Sequence, residues 1–187
     1  LVADLYDAEA TLITGVPDLD VYGPRAPENY IGAINTVAQG AEPCWPGKRP
    51  TRLFAYLKSQ YPPFEQLLTA LSRTEASVLV FAQGVARQHV LRHQTANLAF
   101  SEKPLLMERV RHECDLAVCH AGGMVDVMLG AGKPLLLLPM QTEQNMTCRR
   151  VQQLGCGLGY TAEQPPALLA KTLGKLLGDD GFAQRAR

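Results

Sequence analysis

From about residue 51 onward, short apolar runs alternate with segments whose apolar residues recur at helical spacing. The run 77–82, Ser-Val-Leu-Val-Phe-Ala, is continuous, which is typical of a strand that is covered on both faces. The segment 62–73 begins with proline and repeats its apolar residues every three or four positions, which indicates a helix. The two patterns together favour strands and helices that follow one another along the chain.

The same reasoning extends to the rest of this region. The predicted strands are 52–57, 77–82, 97–100, 115–119, 134–138 and 158–161. The predicted helices are 62–73, 85–94, 105–113, 123–130, 142–154 and 165–177. Strand and helix alternate about six times, which predicts an α/β fold with a doubly wound parallel sheet.

The segment 23–50 differs from everything after it. It contains nine glycines and prolines in 28 positions, and such a density of breakers predicts a linker or an extended crossover without packed elements. We expect a domain boundary here. The chain lacks an initiating methionine and ends in a helical pattern, so we also expect it to be an excerpt of a longer protein.

The composition argues against several classes of function. Eighteen basic residues balance eighteen acidic ones, which argues against a nucleic-acid-binding module or a protein held at membranes by positive charge. No apolar run reaches the roughly 18 residues of a transmembrane helix, and no signal peptide is evident. The five cysteines are odd in number and form no Cys-x-x-Cys pair, so we expect no disulfide framework and a cytoplasmic location.

Two segments contain residues that could bind a ligand. In the first, a strand ending at Cys119 leads into His120-Ala-Gly-Gly123 and then a helix, and glycine turns before helices suit a diphosphate. In the second, a strand leads through Pro139 to Glu143 and Gln144 at a helix start, where a carboxylate and an amide could bind sugar hydroxyls. Taken singly, each also fits an ordinary turn or helix N-terminus.

In order and spacing, the two segments together resemble the C-terminal, donor-binding domain of the UDP-glycosyltransferase superfamily. The matching residues are His120, Gly122 and Gly123, then 132–134, and then Pro139 with Glu143 and Gln144. The resemblance covers about residues 50–180. It implies a Rossmann-like half of a GT-B fold at 51–187, incomplete at its C-terminus, preceded by the end of an N-terminal domain at 1–24 and an interdomain linker at 25–50.

The resemblance also implies a function and roles for individual residues. The chain would be the donor-binding part of a glycosyltransferase that moves a sugar from UDP or dTDP to a hydroxyl of the acceptor. The acceptor would be a small molecule or a lipid. The transfer would proceed with inversion and without a metal or other cofactor. His120, Gly122, Gly123 and Ser59 would hold the diphosphate. Glu143 and Gln144 would hold the sugar. Pro104 and Leu105 would hold the base.

The catalytic base of this family lies in the N-terminal domain, so the resemblance assigns no catalytic residue here and implies that this chain alone is inactive. Two departures matter. Val125 stands where the family has a hydroxyl that contacts phosphate, and Met128 where many members bind the ribose with glutamate. These departures keep open a non-catalytic member that binds a partner. A UDP-sugar epimerase is a further alternative, for which only Glu143 offers an acid or base.

One weaker signal lies elsewhere. His89 and His93 are four residues apart, as metal ligands on a helix can be. No third ligand is evident from the sequence. We therefore interpret the pair as part of a solvated helix face and predict no metal site.

Overall fold

The computed structural model describes residues 9–10, 12–23, 25–26, 29–34 and 39–187. Part of the predicted N-terminal-domain remnant and part of the predicted linker therefore lie outside the described residues. No helix of the described chain is long and apolar enough to cross a membrane.

Strands and helices alternate from residue 52 to the end of the chain. The strands are β1 (Arg52–Lys58), β2 (Ser77–Gln83), β3 (Leu98–Ser101), β4 (Leu116–Cys119), β5 (Leu135–Leu137) and β6 (Gly157–Gly159). The helices are α1 (Phe64–Ser72), α2 (Arg87–His93), α3 (Met107–Glu113), α4 (Met124–Leu129), α5 (Thr142–Gln153), α6 (Pro166–Gly178) and α7 (Gly181–Ala186). A short 3-10 helix, Pro17–Leu19, precedes them.

The six strands form one parallel sheet in the order β3-β2-β1-β4-β5-β6. The predicted α/β class and doubly wound parallel sheet are confirmed. The strand order reverses between β1 and β4, which are hydrogen-bonded neighbours. In open α/β sheets, ligands bind in the crevice outside the carboxyl ends of the strands at such a reversal. The order of the strands therefore points to the turns after β1 and β4.

Helices cover both faces of the sheet, and this explains the two buried clusters. Alternate residues of β1 point to opposite faces, so Leu53 and Leu57 join one cluster while Phe54 joins the other. The first cluster includes the apolar face of α1 and the leucines of α6. The second includes buried residues of α3, α4 and α5. A sheet that is covered on both faces needs the continuous apolar strands that the sequence shows.

One boundary needs correction. The last strand spans Gly157–Gly159 instead of 158–161, because pairing with β5 fixes its start. The helical pattern at the end of the chain forms a separate helix, α7, which packs Phe182 into the core. The later part of the predicted linker, 39–50, forms no helix or strand but contacts the sheet domain: the N–H of Ala41 donates to the carbonyl of Pro104 over 2.9 Å, and the indole of Trp45 donates to Glu113 over 2.8 Å.

The interpretation of His89 and His93 as a solvated helix face is also wrong. His93 is only 7% exposed, and both rings hydrogen-bond to the carboxylate of Glu65 on α1. The sequence could not show this contact, because α1 and α2 are brought together by the packing of both helices on one face of the sheet.

Candidate functional site

His120 lies directly after β4 and joins the ends of three strands. Its Nε2 accepts the backbone N–H of Lys58 at the end of β1 over 2.9 Å, and its Nδ1 lies 2.8 Å from the carbonyl of Leu138 after β5. Since the carbonyl can only accept, Nδ1 carries the proton and Nε2 is the acceptor. The ring therefore fixes the relative positions of the turns at the carboxyl edge of the sheet.

The surroundings of His120 keep it neutral. The residue is 5% exposed, and burial lowers its pKa because it disfavours the charged form, with the nearby charge of Lys58 acting in the same direction. Tyr61 packs edge-on against the ring with centroids 5.2 Å apart. Both ring nitrogens are engaged by the backbone in this arrangement, so the observed role of His120 is to hold the turns in place.

The turn after His120 brings exposed backbone to the same edge. Ala121 has a positive φ of 54°, which is uncommon for a residue with a side chain. Gly122 and Gly123 are exposed, and a methyl group added to either would meet no atom within 4 Å. Among the described residues, the N–H groups of 122–124 have no acceptor. Helix α4 has only six residues and a correspondingly small dipole, so these free amides are the main feature that the turn could offer to an anion.

A cavity of about 430 Å³ opens on one side of this turn. Gly122 and Gly123 line it together with Glu143 and Gln144 at the start of α5, so the structure brings four of the predicted residues together. Gln144 is 7% exposed, and its Oε1 accepts the N–H of Met140 over 2.8 Å. Glu143 is exposed, and the hydroxyl of Tyr22 lies 3.4 Å from its Oε1.

A larger cavity of about 1020 Å³ lies beside Met124, at the other end of the same turn. Pro104 and Leu105 line it, as do the paired rings of Tyr56 and Phe81, whose centroids are 5.6 Å apart. The glycine turn therefore stands between the cavity with the predicted sugar-binding residues and the cavity with the predicted base-binding residues.

The backbone around Leu105 forms part of the wall of the larger cavity. Ala41 pairs with Leu105 in a parallel bridge that uses the carbonyl of Pro104 and the N–H of Leu106. In such a bridge, the N–H and C=O of the central residue do not bond to the paired segment. Among the described residues, the N–H and C=O of Leu105 have no partner, so one donor and one acceptor remain side by side.

The remaining predicted positions lie apart from the two cavities or within the core. Ser59 is half-buried in the turn after β1 and lines neither cavity. Val125 is 2% exposed at the edge of the smaller cavity. Met128 is fully buried, with its sulfur 3.9 Å from that of Cys114, and reaches neither cavity. A residue at position 128 with this orientation belongs to the core.

The structure adds charged residues that sequence reasoning did not assign to the site. Asp126, in the first turn of α4, lines the smaller cavity, as do Asp20 and Arg25 from the N-terminal segment. The position of Asp126, three residues after the second glycine, could have indicated it. No sequence signal could have placed Asp20 and Arg25 beside α4 and α5. Among the described residues, no group of three or more histidine, cysteine or acidic side chains is arranged to hold a metal ion.

Comparison with known proteins gives the fold of the chain. No protein-family model matches this sequence, and neither does any curated protein. Solved structures do match. The spinosyn rhamnosyltransferase SpnG aligns with a TM-score of 0.76 and 19% identity over 94% of this chain and 50% of its own. The glycosyltransferase VinC in complex with DTDP gives 0.77 and 17% identity over 95% of this chain and 46% of its own.

The calicheamicin glycosyltransferase CalG4 aligns with a TM-score of 0.73 and 22% identity over the whole of this chain and 50% of its own. The chain thus spans about half the length of each of these neighbours. The chain therefore has the fold of a Rossmann-like half of a GT-B glycosyltransferase.

Proposed function

We propose that this chain is the donor-binding part of a glycosyltransferase, which holds a nucleoside-diphosphate sugar while the sugar passes to an acceptor hydroxyl. The observation that carries the proposal is the glycine turn at the reversal of strand order, with a cavity at each end. The diphosphate would lie over the free amides of 122–124, the base in the larger cavity and the sugar in the smaller one.

The chemistry of each part matches the chemistry of such a donor. The N–H and C=O of Leu105 complement the O4 and N3–H groups of thymine or uracil, and the rings of Tyr56 and Phe81 offer an apolar wall. The carboxylate of Glu143 and the amide of Gln144 can accept from and donate to sugar hydroxyls. Lys58, exposed beside His120, adds positive charge near the diphosphate.

Transfer would proceed with inversion and without a metal ion. The bond from the anomeric carbon to the diphosphate oxygen breaks as the acceptor oxygen attacks from the opposite face. The turn amides stabilise the charge that develops on the leaving diphosphate. The proton of the acceptor hydroxyl goes to a base that this chain does not supply. The acceptor would be a small molecule or a lipid, bound in a cleft completed by residues outside 51–187.

The titles of the structural neighbours suggest the first ligand to test. VinC was solved with DTDP, and SpnG was solved with thymidine diphosphate and with spinosyn aglycone. We therefore propose dTDP as the nucleotide and UDP as the comparison.

A steric variant tests the proposal without disturbing the fold. Gly123 has helical backbone angles, and a methyl group there projects into open space, so Gly123→Ala should fold normally. The same methyl group lies where the diphosphate would approach. Gly178→Ala is the matched control, since its methyl group also meets no atom and lies at the end of α6, away from the site.

Calorimetric titration with dTDP and UDP should show saturable binding that Gly123→Ala weakens by tenfold or more, about 1.4 kcal/mol. Gly178→Ala should bind like the parent protein. Failure of the folded parent protein to bind either nucleotide would contradict the proposal and favour the non-catalytic alternative. Conversion of a bound donor into its epimer, followed by NMR, would favour the epimerase alternative instead.

A further inference from the structure

Glu65, His89 and His93 form a cluster of titratable side chains between α1 and α2, outside the candidate donor site. Oε1 of Glu65 contacts Nδ1 of His89, and Oε2 of Glu65 lies 2.5 Å from Nε2 of His93. Each oxygen of one carboxylate is therefore engaged by one imidazole. Neither histidine lines the larger cavity, although Val90 and Leu91 on another face of α2 do. We refer to these three titratable residues as the Glu65 cluster.

The carboxylate of Glu65 fixes which ring nitrogens carry a hydrogen. Hydrogen bonds from His93 and His89 lower the pKa of Glu65, so the carboxylate is ionised at neutral pH and can only accept. Nδ1 of His89 and Nε2 of His93 are therefore the donors in the neutral rings. Among the described residues, the other nitrogen of each ring has no hydrogen-bond partner. That nitrogen can take up a proton without the loss of a hydrogen bond in the cluster.

The same step at His120 would have the opposite effect. There, Nε2 already accepts the N–H of Lys58, so a proton on this nitrogen would displace a hydrogen bond. In the Glu65 cluster, a proton turns a neutral donor into a cation beside a carboxylate, and an ion pair is added to a hydrogen bond that is already present. Protonation therefore weakens the contacts of His120 and strengthens those between α1 and α2.

The charges around the Glu65 cluster favour the uptake of one proton over the uptake of two. Arg92 on α2 also contacts Glu65, over 3.2 Å, and its side chain is 65% exposed. Arg73 and Glu75 line the same groove as Glu65, and Glu75 pairs with Arg49 instead. The described residues of α6 on the other wall of this groove are all uncharged. With both rings protonated, three cations would surround one carboxylate, and their repulsion opposes the second proton.

We propose that the Glu65 cluster is a pH-sensitive contact, which holds α2 against α1 more firmly once it has taken up a proton. The contact strengthens as the pH falls through the ordinary titration range of histidine, around 6.5, and weakens as the pH rises. Because another face of α2 lines the larger cavity, the order of this wall changes with the pH. The inference does not depend on the proposed function, since the mobility of α2 can be measured without a nucleotide.

Amide hydrogen exchange in 87–93 measures the strength of this contact. Protection factors correct for the intrinsic effect of pH on exchange, and in the parent protein they should rise about threefold between about pH 7.5 and about pH 6.0. A larger rise is not expected, because Glu65 is 40% exposed and water screens the ion pair. Protection that stays constant or falls over this range would overturn the proposal.

Two conservative substitutions remove the titrating groups and keep the hydrogen bonds. His89→Asn places an amide nitrogen close to the position of Nδ1, and His93→Gln places one close to the position of Nε2. The double variant should show no rise in protection, and an undiminished rise would contradict the proposal. The side chain of His89 is 24% exposed, so His89→Asn alone should fold and reduce the rise if the double variant does not fold.

His112→Gln is the matched control. His112 contacts Glu108 within α3 over 3.0 Å, so this pair joins a histidine to a carboxylate without bridging two helices. Its removal should leave the rise in protection at 87–93 as it is in the parent protein.

Titration with dTDP tests the effect on the cavity wall. The ratio of dTDP affinity at about pH 6.0 to that at about pH 7.5 should be up to about threefold higher in the parent protein than in the double variant. Protonation of the nucleotide itself cancels in this comparison. Equal ratios would overturn the effect on the larger cavity. If the folded protein binds no dTDP at all, the proposed function fails, and the exchange measurements still decide this inference.

Discussion

Tyr61 and Tyr160 are both buried, but their hydroxyl groups differ in hydrogen bonding. The hydroxyl of Tyr160 donates to the carbonyl of Gln164 over 2.8 Å, whereas that of Tyr61 has no partner among the described residues. Burial raises the pKa of both groups, so both are protonated donors at neutral pH. A buried donor without an acceptor costs free energy that a bonded one does not.

We therefore predict opposite effects of the same substitution. Tyr160→Phe should lower the free energy of unfolding by about 1 kcal/mol, since it removes a hydrogen bond. Tyr61→Phe should leave it unchanged or raise it by up to about 1 kcal/mol, since it removes an unsatisfied group. Urea denaturation of both variants checks this, and an equal loss in both would show that Tyr61 has a partner.

His120 should make stability depend on pH. Its pKa in the folded state lies below the ordinary value of about 6.5, so the unfolded chain binds the proton more readily. Its contribution to stability is therefore complete above about pH 6.5 and falls as the pH drops toward its lowered pKa.

The difference in unfolding free energy between about pH 7.5 and about pH 5.5 should be smaller in His120→Gln than in the parent protein. The other three histidines are the same in both proteins, so the comparison isolates His120. Identical pH profiles for the two proteins would contradict a lowered pKa for this residue.

At the scale of elements, one carboxylate of α1 contacts three side chains of α2. Glu65 accepts from His89 and His93 and lies 3.2 Å from Arg92, so it contacts one face of α2. Another face of the helix, including Val90 and Leu91, lines the larger cavity. The hydrogen bond from His93 lowers the pKa of Glu65 most, and the contacts with His89 and Arg92 act in the same direction.

Glu65→Ala should loosen α2 and so disturb the wall of the larger cavity. We expect faster amide hydrogen exchange in 87–93 and weaker dTDP binding, with a loss of stability of about 1 kcal/mol or less, because Glu65 is 40% exposed. Glu75→Ala removes a more exposed ion pair with Arg49 and should change none of these. Unaltered exchange in 87–93 would show that α2 is held by its apolar contacts alone.

At the scale of the whole molecule, the described residues contain a candidate donor site and a core on both faces of the sheet, but no assigned catalytic base. We predict that the 187-residue chain binds dTDP and does not transfer sugar. A radiolabelled donor incubated with the chain and a panel of acceptors should give no product. Measurable turnover would show that a base lies within this chain, and Asp126 and Glu143 would be the first residues to test.

The sequence by itself determined the class of fold and the places where chemistry could occur. Apolar periodicity and the glycine turns are local signals, because a strand or a helix depends mainly on residues within a few positions of one another. This is why the order of elements after residue 51 and the turn at Gly122–Gly123 could be predicted. The boundaries of β6 depended on pairing with β5, which is distant along the chain, and there the prediction failed.

Only the tertiary structure decided how the predicted residues act. His120 is 62 positions from Lys58, and the order of strands in the sheet makes them hydrogen-bonded neighbours that occupy one ring nitrogen. The same three-dimensional arrangement pairs Asp20 with Arg25 while it leaves Asp126 and Glu143 without a cation. Charge compensation and hydrogen-bond partners depend on distances between elements, and such distances arise only when the sheet and its helices have packed.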